Sequence, residues 1–378
     1  LILPLQAGLN SGTTLFWGMT GFMLTAVLIP LLGLISMILF NGDYKEFFYR
    51  LGAIPGFFLI FICMFILGPC IAMARNVTLS YEMLLPFMKS FEASTGIACP
   101  ELPIFSIIFC IFTFFATYKE SRILSILAKW ISPILLGSLG IIIVKGLTNP
   151  HECVPSAESP WNIFYQQMEY GYASLDLIGA LFFACAVLTI LRRNTSEDKD
   201  YNLRTLVYHA MKGGFLSCLL LGIIYYGLLL VGAYYGPLVQ PITNPAELFS
   251  QISFAILGQS GAFIIALTVA MACYSTIMAL AMVLAEYINR ELTLGFVSYT
   301  SSLVLVLTAT AASSCYGLST IMKLSSPIIN TVYPVLIVLT VLNIGYKMFG
   351  FSYVKFPTLI TLLFCIYTNI EQFRVAFL

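Results

Sequence analysis

Residues 261–285 read GAFIIALTVAMACYSTIMALAMVLA, with no charged side chain until Glu286. A helix needs about 20 mostly apolar residues to cross a hydrocarbon core. In lipid every backbone N–H and C=O must be satisfied within the segment, so such a run is a helix. Working outward from the 261–288 span, the same pattern recurs over 13–40, 54–75, 103–118, 122–145, 171–191, 205–235, 295–312, 320–343 and 355–370. Residues 1–5 read as the tail of one further span. The sequence therefore predicts an all-α polytopic membrane protein with about eleven spans visible.

Composition agrees. Hydrophobic residues make up 60% of the chain and charged residues 9%, with a mean hydropathy of +0.94. A soluble domain carries about 25% charged residues. The net charge of +1 provides no basic field, and no basic cluster with interleaved aromatics occurs, which sets nucleic-acid partners aside. Of the 10 cysteines, Cys63, Cys70, Cys110, Cys185, Cys218, Cys273 and Cys365 lie in apolar runs, where a thiol behaves as a small hydrophobe. No CxxC is present to suggest zinc. Cys99 and Cys153 lie in more polar loops; they are a pair if both face an oxidising space, and otherwise two free thiols. No signal peptide is visible. The sequence opens on Leu1-Ile2-Leu3-Pro4 without an initiator Met and stops at Leu378, so both ends read as trimmed.

Lys and Arg set the orientation. One set of alternate loops holds Lys45, Arg50, Lys119, Arg122, Arg192, Arg193, Lys199, Arg204, Arg290, Lys347 and Lys355; the other holds Lys89, Lys145 and Arg75. The first set is expected in the cytoplasm, with loops 6–13, 76–102, 146–168 and 236–255 outside and the N-terminus inside.

Three stretches carry candidate chemistry. Gly171-Tyr172-Ala173-Ser174-Leu175-Asp176 puts a carboxylate at the head of an apolar run. An ionisable group in a span is expensive and points to function, although an interfacial Asp176 favouring the helix dipole fits as well. Gly171 and Gly179 are read as loosening the helix between them. Ala272-Cys273-Tyr274-Ser275-Thr276 lies mid-span, and positions i, i+3 and i+4 share a face. The Ala272 carbonyl and the Ser275 and Thr276 hydroxyls then offer oxygens to a hard cation such as Na⁺, or the hydroxyls simply bond back along the helix. In Gly68-Pro69-Cys70-Ile71-Ala72-Met73-Ala74-Arg75, small residues end a span and a polar helix-like stretch follows to Glu82. Arg75 and Glu82 are candidate gate or scaffold charges, or parts of a solvated helix end.

His151 and His209 are the only histidines. His209, in an apolar run, is read as a packing side chain, with a proton relay as the alternative. Ser325-Ser326-Pro327 is read as a helix break, and Glu286 as interfacial. No Ser-His-Asp order, HExxH or P-loop occurs, so the chain is not expected to be an enzyme. Repeats are not visible as sequence identity. Residues 1–5 and 171–176 are nevertheless both apolar stretches broken by Pro, Gly or charge, and interrupted segments at matching positions in two halves point to a transporter site.

In order along the chain these motifs resemble the branched-chain amino acid:cation symporter family. Gly68 to Glu82 is similar to its G-P-x-x-A-x-P-R stretch ending in S-[FY]-E, with Ala74 at the second proline. Gly171 to Asp176 is similar to G-Y-x-T-M-D, with Ser174 for Thr and Leu175 for Met. Ala272 to Tyr287 is similar to A-C-x-x-T-A-x-G-L followed by A-E-[FY], with Ala279 for Gly. Ser326-Pro327, Tyr333-Pro334, the opening Leu1 to Pro4 and Gly8-Leu9-Asn10-Ser11-Gly12 complete the set.

The resemblance implies a LeuT-like 5+5 inverted repeat in one transmembrane transporter domain, 1–378. The first repeat would be 1–145, the second 171–343 and an additional span 355–370, with the start of helix one and a twelfth helix outside this numbering. Helices one and six would be broken at the midplane, where half-helix ends meet the substrate. The implied function is import of leucine, isoleucine or valine by Na⁺ symport through a bacterial inner membrane, with Na⁺ as coupling ion and no other cofactor. The implied partners are an amino acid and the lipid bilayer. Substrate contacts would come from Gly68, Ile71, Ala72, Tyr172, Ser174, Leu175 and Asp176, with Leu177 in the apolar wall. Na⁺ would be held by Ala272, Ser275 and Thr276 together with helix-one carbonyls. H⁺ coupling or another amino acid is the nearest rival; a channel or sensor is more distant.

Overall fold

Long apolar stretches with few charges fold here as helices wherever the chain is described. The computed structural model describes residues 2–96, 98–118, 122–151, 158–195, 203–239 and 245–377. Its α-helices are α1 (Ile2–Ser11), α2 (Leu15–Met23), α3 (Ile29–Leu39), α4 (Tyr44–Tyr49), α5 (Ala53–Leu67), α6 (Ala72–Thr95), α7 (Leu102–Thr117), α8 (Arg122–Thr148), α9 (Pro160–Tyr172), α10 (Asp176–Thr195), α11 (Leu203–Tyr235), α12 (Pro245–Tyr287), α13 (Tyr299–Ser314), α14 (Leu318–Phe349) and α15 (Lys355–Phe377). No strand occurs among the described residues. By length and hydropathy, Ile2–Leu39, Ala53–Thr95, Met211–Val239, Pro245–Leu292 and Leu318–Phe349 qualify to cross a membrane; Leu102–Thr117 and Ser132–Thr148 are apolar but shorter.

Contacts divide the chain into two units interleaved in sequence. Unit one comprises Leu1–Leu9, Met64–Val154 and Leu228–Ser325; unit two comprises Asn10–Cys63, Pro155–Gly227 and Ser326–Leu378.

In unit one, α12 packs against α6, α8 and α13, and α7 against α13. The start of α1 lies close to the end of α11: Gly8 abuts the Leu229 carbonyl and Gly232 the Leu5 carbonyl, with no room for a Cβ at either. Small residues allow such approach where helices pack in lipid. Several buried hydroxyls are satisfied along their own helices. Thr78 donates to the Ala74 carbonyl at 3.0 Å, Ser253 to Phe249 at 2.7 Å and Thr310 to Val306 at 2.8 Å. α12 is interrupted at Gly258, whose φ of 69° a side chain would resist.

In unit two, α2 packs on α9 and α3 on α10. Between α2 and α3 the helix widens into one π turn, Leu24–Leu28, which touches both α9 and α10. A Cβ on Gly21 would strike the Phe164 carbonyl, and one on Gly33 would come within 2.7 Å of Leu177 Cδ1. At the far end of α3, Asp43 caps α4 by accepting the Glu46 N–H at 3.0 Å. Arg50 donates to Asn343 Oδ1 at 3.1 Å, and its guanidinium lies 3.5 Å from the Tyr346 ring centroid. The Asn343 amide donates to the Phe47 carbonyl at 3.1 Å, and Lys347 pairs with Glu46 at 2.9 Å.

Several sequence boundaries change. The expected span 54–75 is α5 and the start of α6, separated by a turn over 68–71. The expected loop 76–102 is mostly α6, and the loop 146–168 contains the start of α9. The loop 236–255 contains the first part of α12. These stretches are too polar or too short for a span, yet they carry helix-start signals: Ser159 accepts the Asn162 N–H at 3.4 Å, and Pro160 follows it. Ser325-Ser326-Pro327 does not break α14, which runs through Pro327 and Pro334. Proline is tolerated inside membrane helices; near Pro327, Thr331 donates to the Pro327 carbonyl at 2.9 Å and Ser325 to the Met322 carbonyl at 3.1 Å. Glu286 is exposed and pairs with Arg290 at 3.1 Å. Cys153, and with it the Cys99–Cys153 pairing, lies outside the described residues, as does the His209 side chain.

Candidate functional site

In unit two the chain stops being helical where the sequence places a carboxylate behind a run of small residues. α9 ends at Tyr172 and α10 starts at Asp176. Two tight turns join them: Ser174 N–H donates to the Gly171 carbonyl at 3.2 Å, and Leu175 N–H to the Tyr172 carbonyl at 3.1 Å. Ser174 Oγ also donates to the Gly171 carbonyl, at 2.7 Å. Leu175 has a φ of 62°, in the left-handed region. That conformation costs an L-residue about 1–2 kcal/mol, and such strain persists only where the surroundings hold it.

The glycines do not supply the break. Gly171 remains in α9, where a Cβ would overlap Thr25 Oγ1 and come within 3.1 Å of the Phe22 carbonyl oxygen. Thr25 itself donates to the Met168 carbonyl at 3.1 Å, fastening the last turn of α9 to the π turn. Gly171 is needed for close approach, and Leu175 takes the left-handed turn.

Two tyrosines complete this region. Tyr225 of α11 donates to Asp176 Oδ2 at 3.0 Å, with its ring edge-on to Phe22 at 5.6 Å. Tyr333 of α14 is wholly buried; its hydroxyl accepts the Leu177 N–H at 3.0 Å, and its ring stacks on Tyr172 at 4.9 Å. Asp176 occupies the first position of α10, where the helix dipole favours a negative charge. The carboxylate is therefore at once a helix-start group and the acceptor of a tyrosine proton. Gln167, on the same α9, is fully buried, and both its amide atoms lack a hydrogen-bond partner among the described residues.

In unit one, the turn Gly68-Pro69-Cys70-Ile71 interrupts the helix between α5 and α6. Met73 N–H reaches back to the Gly68 carbonyl at 3.1 Å and Arg75 N–H to the Ile71 carbonyl at 2.9 Å. Gly68 lies against Leu284 of α12, and Ile71 and Ala72 are buried. Arg75 and Glu82 both lie on α6, separated by about 10.5 Å of helix rise. On α12, Ser275 Oγ and Thr276 Oγ1 both donate to the Ala272 carbonyl, at 2.8 and 2.9 Å. Their protons are thus directed inward, and the hydroxyl oxygens keep lone pairs for a cation. The same bonds are those of ordinary back-bonding hydroxyls.

The structure thus brings Tyr172, Ser174, Leu175 and Asp176 together at one helix break in unit two. It brings Ala272, Ser275 and Thr276 onto one turn in unit one, with Gly68, Ile71, Ala72, Arg75 and Glu82 along a second stretch of that unit. Sequence reasoning missed Tyr225 and Tyr333 as members of the break. The available signal was that a tyrosine inside an apolar span must find a partner for its hydroxyl. Among the described residues no group of three or more His, Cys, Asp or Glu is placed to hold a metal ion. An alkali cation held by hydroxyls and carbonyls is a different donor set.

The family described as "Branched-chain amino acid transport protein" matches residues 1–377. Curated relatives include the branched-chain amino acid permease BraB of Bacillus subtilis, 26% identical over 357 residues, covering 92% of this chain and 77% of the relative. The permease BrnQ of Escherichia coli K12 is 24% identical over 377 residues, covering 98% and 82%. BrnQ of Lactobacillus delbrueckii subsp. lactis is 27% identical over 374 residues, covering 96% and 81%. Among solved structures, MhsT in complex with L-phenylalanine matches with a TM-score of 0.54 at 15% identity, covering 99% of this chain and 94% of that one. At that identity the likeness is one of fold: an all-α polytopic membrane protein of the LeuT-like class.

Proposed function

The chain belongs to the branched-chain amino acid transport protein family, and from that premise we propose that it is a secondary active transporter importing leucine, isoleucine or valine by Na⁺ symport. The observation that carries the reading is the helix break at 173–175, with left-handed Leu175 and Asp176 behind it. Broken helices in transporters of this class present half-helix ends and freed carbonyls to the substrate and coupling ion.

In this reading Tyr172, Ser174 and Asp176 receive the substrate ammonium. Leu175 and Leu177 supply apolar surface for the aliphatic side chain, and Gly68, Ile71 and Ala72 are the candidate substrate contacts within unit one. The spans offer almost no basic side chain, so the substrate carboxylate is left to backbone N–H groups at the half-helix ends. Ala272, Ser275 and Thr276 hold Na⁺, with Arg75 and Glu82 as gate or scaffold charges. The repeats are 1–145 and 171–343, with 355–370 as an additional span, in a bacterial inner membrane with the N-terminus cytoplasmic. Each ligand shifts the conformational equilibrium only by its differential affinity for the states, and that supplies the coupling.

One observation favours a second reading of the coupling ion. Asp176 is a carboxylate at the head of an apolar run, the kind of group that serves as a proton relay in a membrane, and a tyrosine hydroxyl lies 3.0 Å from it. The test is radiolabelled leucine uptake into proteoliposomes with an inward Na⁺ gradient, and then with K⁺ in its place. Accumulation only with Na⁺ supports the symport reading. Accumulation with either ion moves the coupling to H⁺ or exchange, and no leucine uptake removes the cargo assignment.

A further inference from the structure

The first turn of an α-helix leaves backbone N–H groups without intrahelical partners. They are ordinarily served by the N-cap residue just before the helix, whose side-chain oxygen accepts from the second or third N–H. α10 begins at Asp176, so its N-cap is Leu175, which has no acceptor on its side chain. The N–H in the second position belongs to Leu177, and that contact is buried. Its partner is Tyr333, in another helix and 156 residues away in sequence, which accepts at 3.0 Å. The same tyrosine also stacks on Tyr172, the last residue of α9, with an interplanar angle of 30°. One fully buried side chain thus holds both lips of the break, by its ring on one side and by its hydroxyl on the other.

We propose that Tyr333 is a positioning residue for substrate binding: it acts as a remote N-cap of α10 and sets the direction in which the backbone of 173–175 meets the substrate ammonium. The inference rests on the transporter reading. A local cap would fix the break from within the segment. A cap supplied by α14 makes the break depend on where α14 lies, so that helix becomes part of the affinity control. Leu175 makes this dependence sharper, because its left-handed backbone needs support from outside.

The test uses Tyr333→Phe, which keeps the ring and the stack on Tyr172 and removes only the acceptor. Leaving one buried N–H without a partner is worth roughly tenfold or more. The KM for leucine should therefore rise about tenfold, with Vmax within about twofold of the parent protein. The change should also be specific to the amino end. The affinity ratio of leucine to N-methylleucine, read by competition against labelled leucine binding in detergent, should shift. The order among leucine, isoleucine and valine should stay as it is.

An unchanged KM overturns the inference. So does a parallel loss for all ligands accompanied by less folded protein, which is what a purely structural tyrosine would give. Should the parent protein itself bind no leucine, the transporter reading fails instead, a result recorded before any variant is compared.

Discussion

Adding one methyl group to two different glycines should move stability in opposite directions. At Gly171 a Cβ would overlap Thr25 Oγ1, lie 3.0 Å from Thr25 Cβ and 3.1 Å from the Phe22 carbonyl oxygen. Overpacking of this kind costs about 1–3 kcal/mol. Turning Thr25 aside also gives up its 3.1 Å bond to the Met168 carbonyl, a further loss of about 1 kcal/mol. Against this stands a gain of about 1 kcal/mol from replacing glycine by alanine within a helix. Gly171→Ala is therefore expected to destabilise by roughly 1–3 kcal/mol. At Gly137 on α8 nothing lies within 4 Å of the added atom, so Gly137→Ala should keep the gain of about 1 kcal/mol. Thermal unfolding of both variants in one detergent, followed by tryptophan fluorescence, measures the difference. Gly171→Ala should also raise the KM for leucine, because it pushes the last turn of α9 off the π turn. If Gly171→Ala melts at or above the parent protein, the close approach of α9 to α2 is wrong, and the placement of the break loses its support.

Asp176→Asn should abolish uptake at normal expression; uptake at the parent level would leave Asp176 as a helix-start group alone. Thr276→Ala should raise the Na⁺ concentration for half-activation roughly tenfold, about 1.4 kcal/mol for one lost ligand, with the fold intact. An unchanged Na⁺ activation curve in that variant sinks the cation site. Arg50→Ala strips the fully buried Asn343 of a charged partner and should cost about 2–3 kcal/mol. Lys347→Ala removes a pair whose side chains are 26% and 50% exposed and should cost under about 1 kcal/mol. Equal melting losses for the two would contradict the assignment of Arg50 as the stronger tie.

The spans that could be read from sequence are those in which one solvent decides everything. Residues 261–285 carry no charge, and α12 covers them. Most of α9 falls in the expected loop 146–168, because Asn162, Gln166 and Gln167 lower its hydropathy. A half-helix that ends at a break need not be about 20 apolar residues long. The break at 173–175 was legible from Asp176 and its small neighbours, but its mechanism was not. Left-handed backbone is ordinarily sought at glycine, yet Gly171 is helical and Leu175 takes the turn. Tyr333 stood in a recognised Tyr-Pro pair, but its partner is Leu177, and no local pattern encodes a contact across 156 residues. Pro327 shows the reverse error: a breaker in water is tolerated inside a membrane helix, and α14 runs through it.

The π turn at Leu24–Leu28 has a bearing on how this chain can vary in length. A wide turn of this type stores one residue more than an α-helix would use. An α-helix turns about 100° per residue, so a single deletion between Gly21 and Gly33 but outside the π turn would rotate Gly33 by that angle relative to Gly21 and carry it away from Leu177. A deletion inside Leu24–Leu28 would instead spend the stored residue, leaving Gly18 and Gly21 still turned to α9 and Gly33 still turned to α10. The segment is thus a place where homologous chains can differ by one residue without losing the phase between the two halves of the helix.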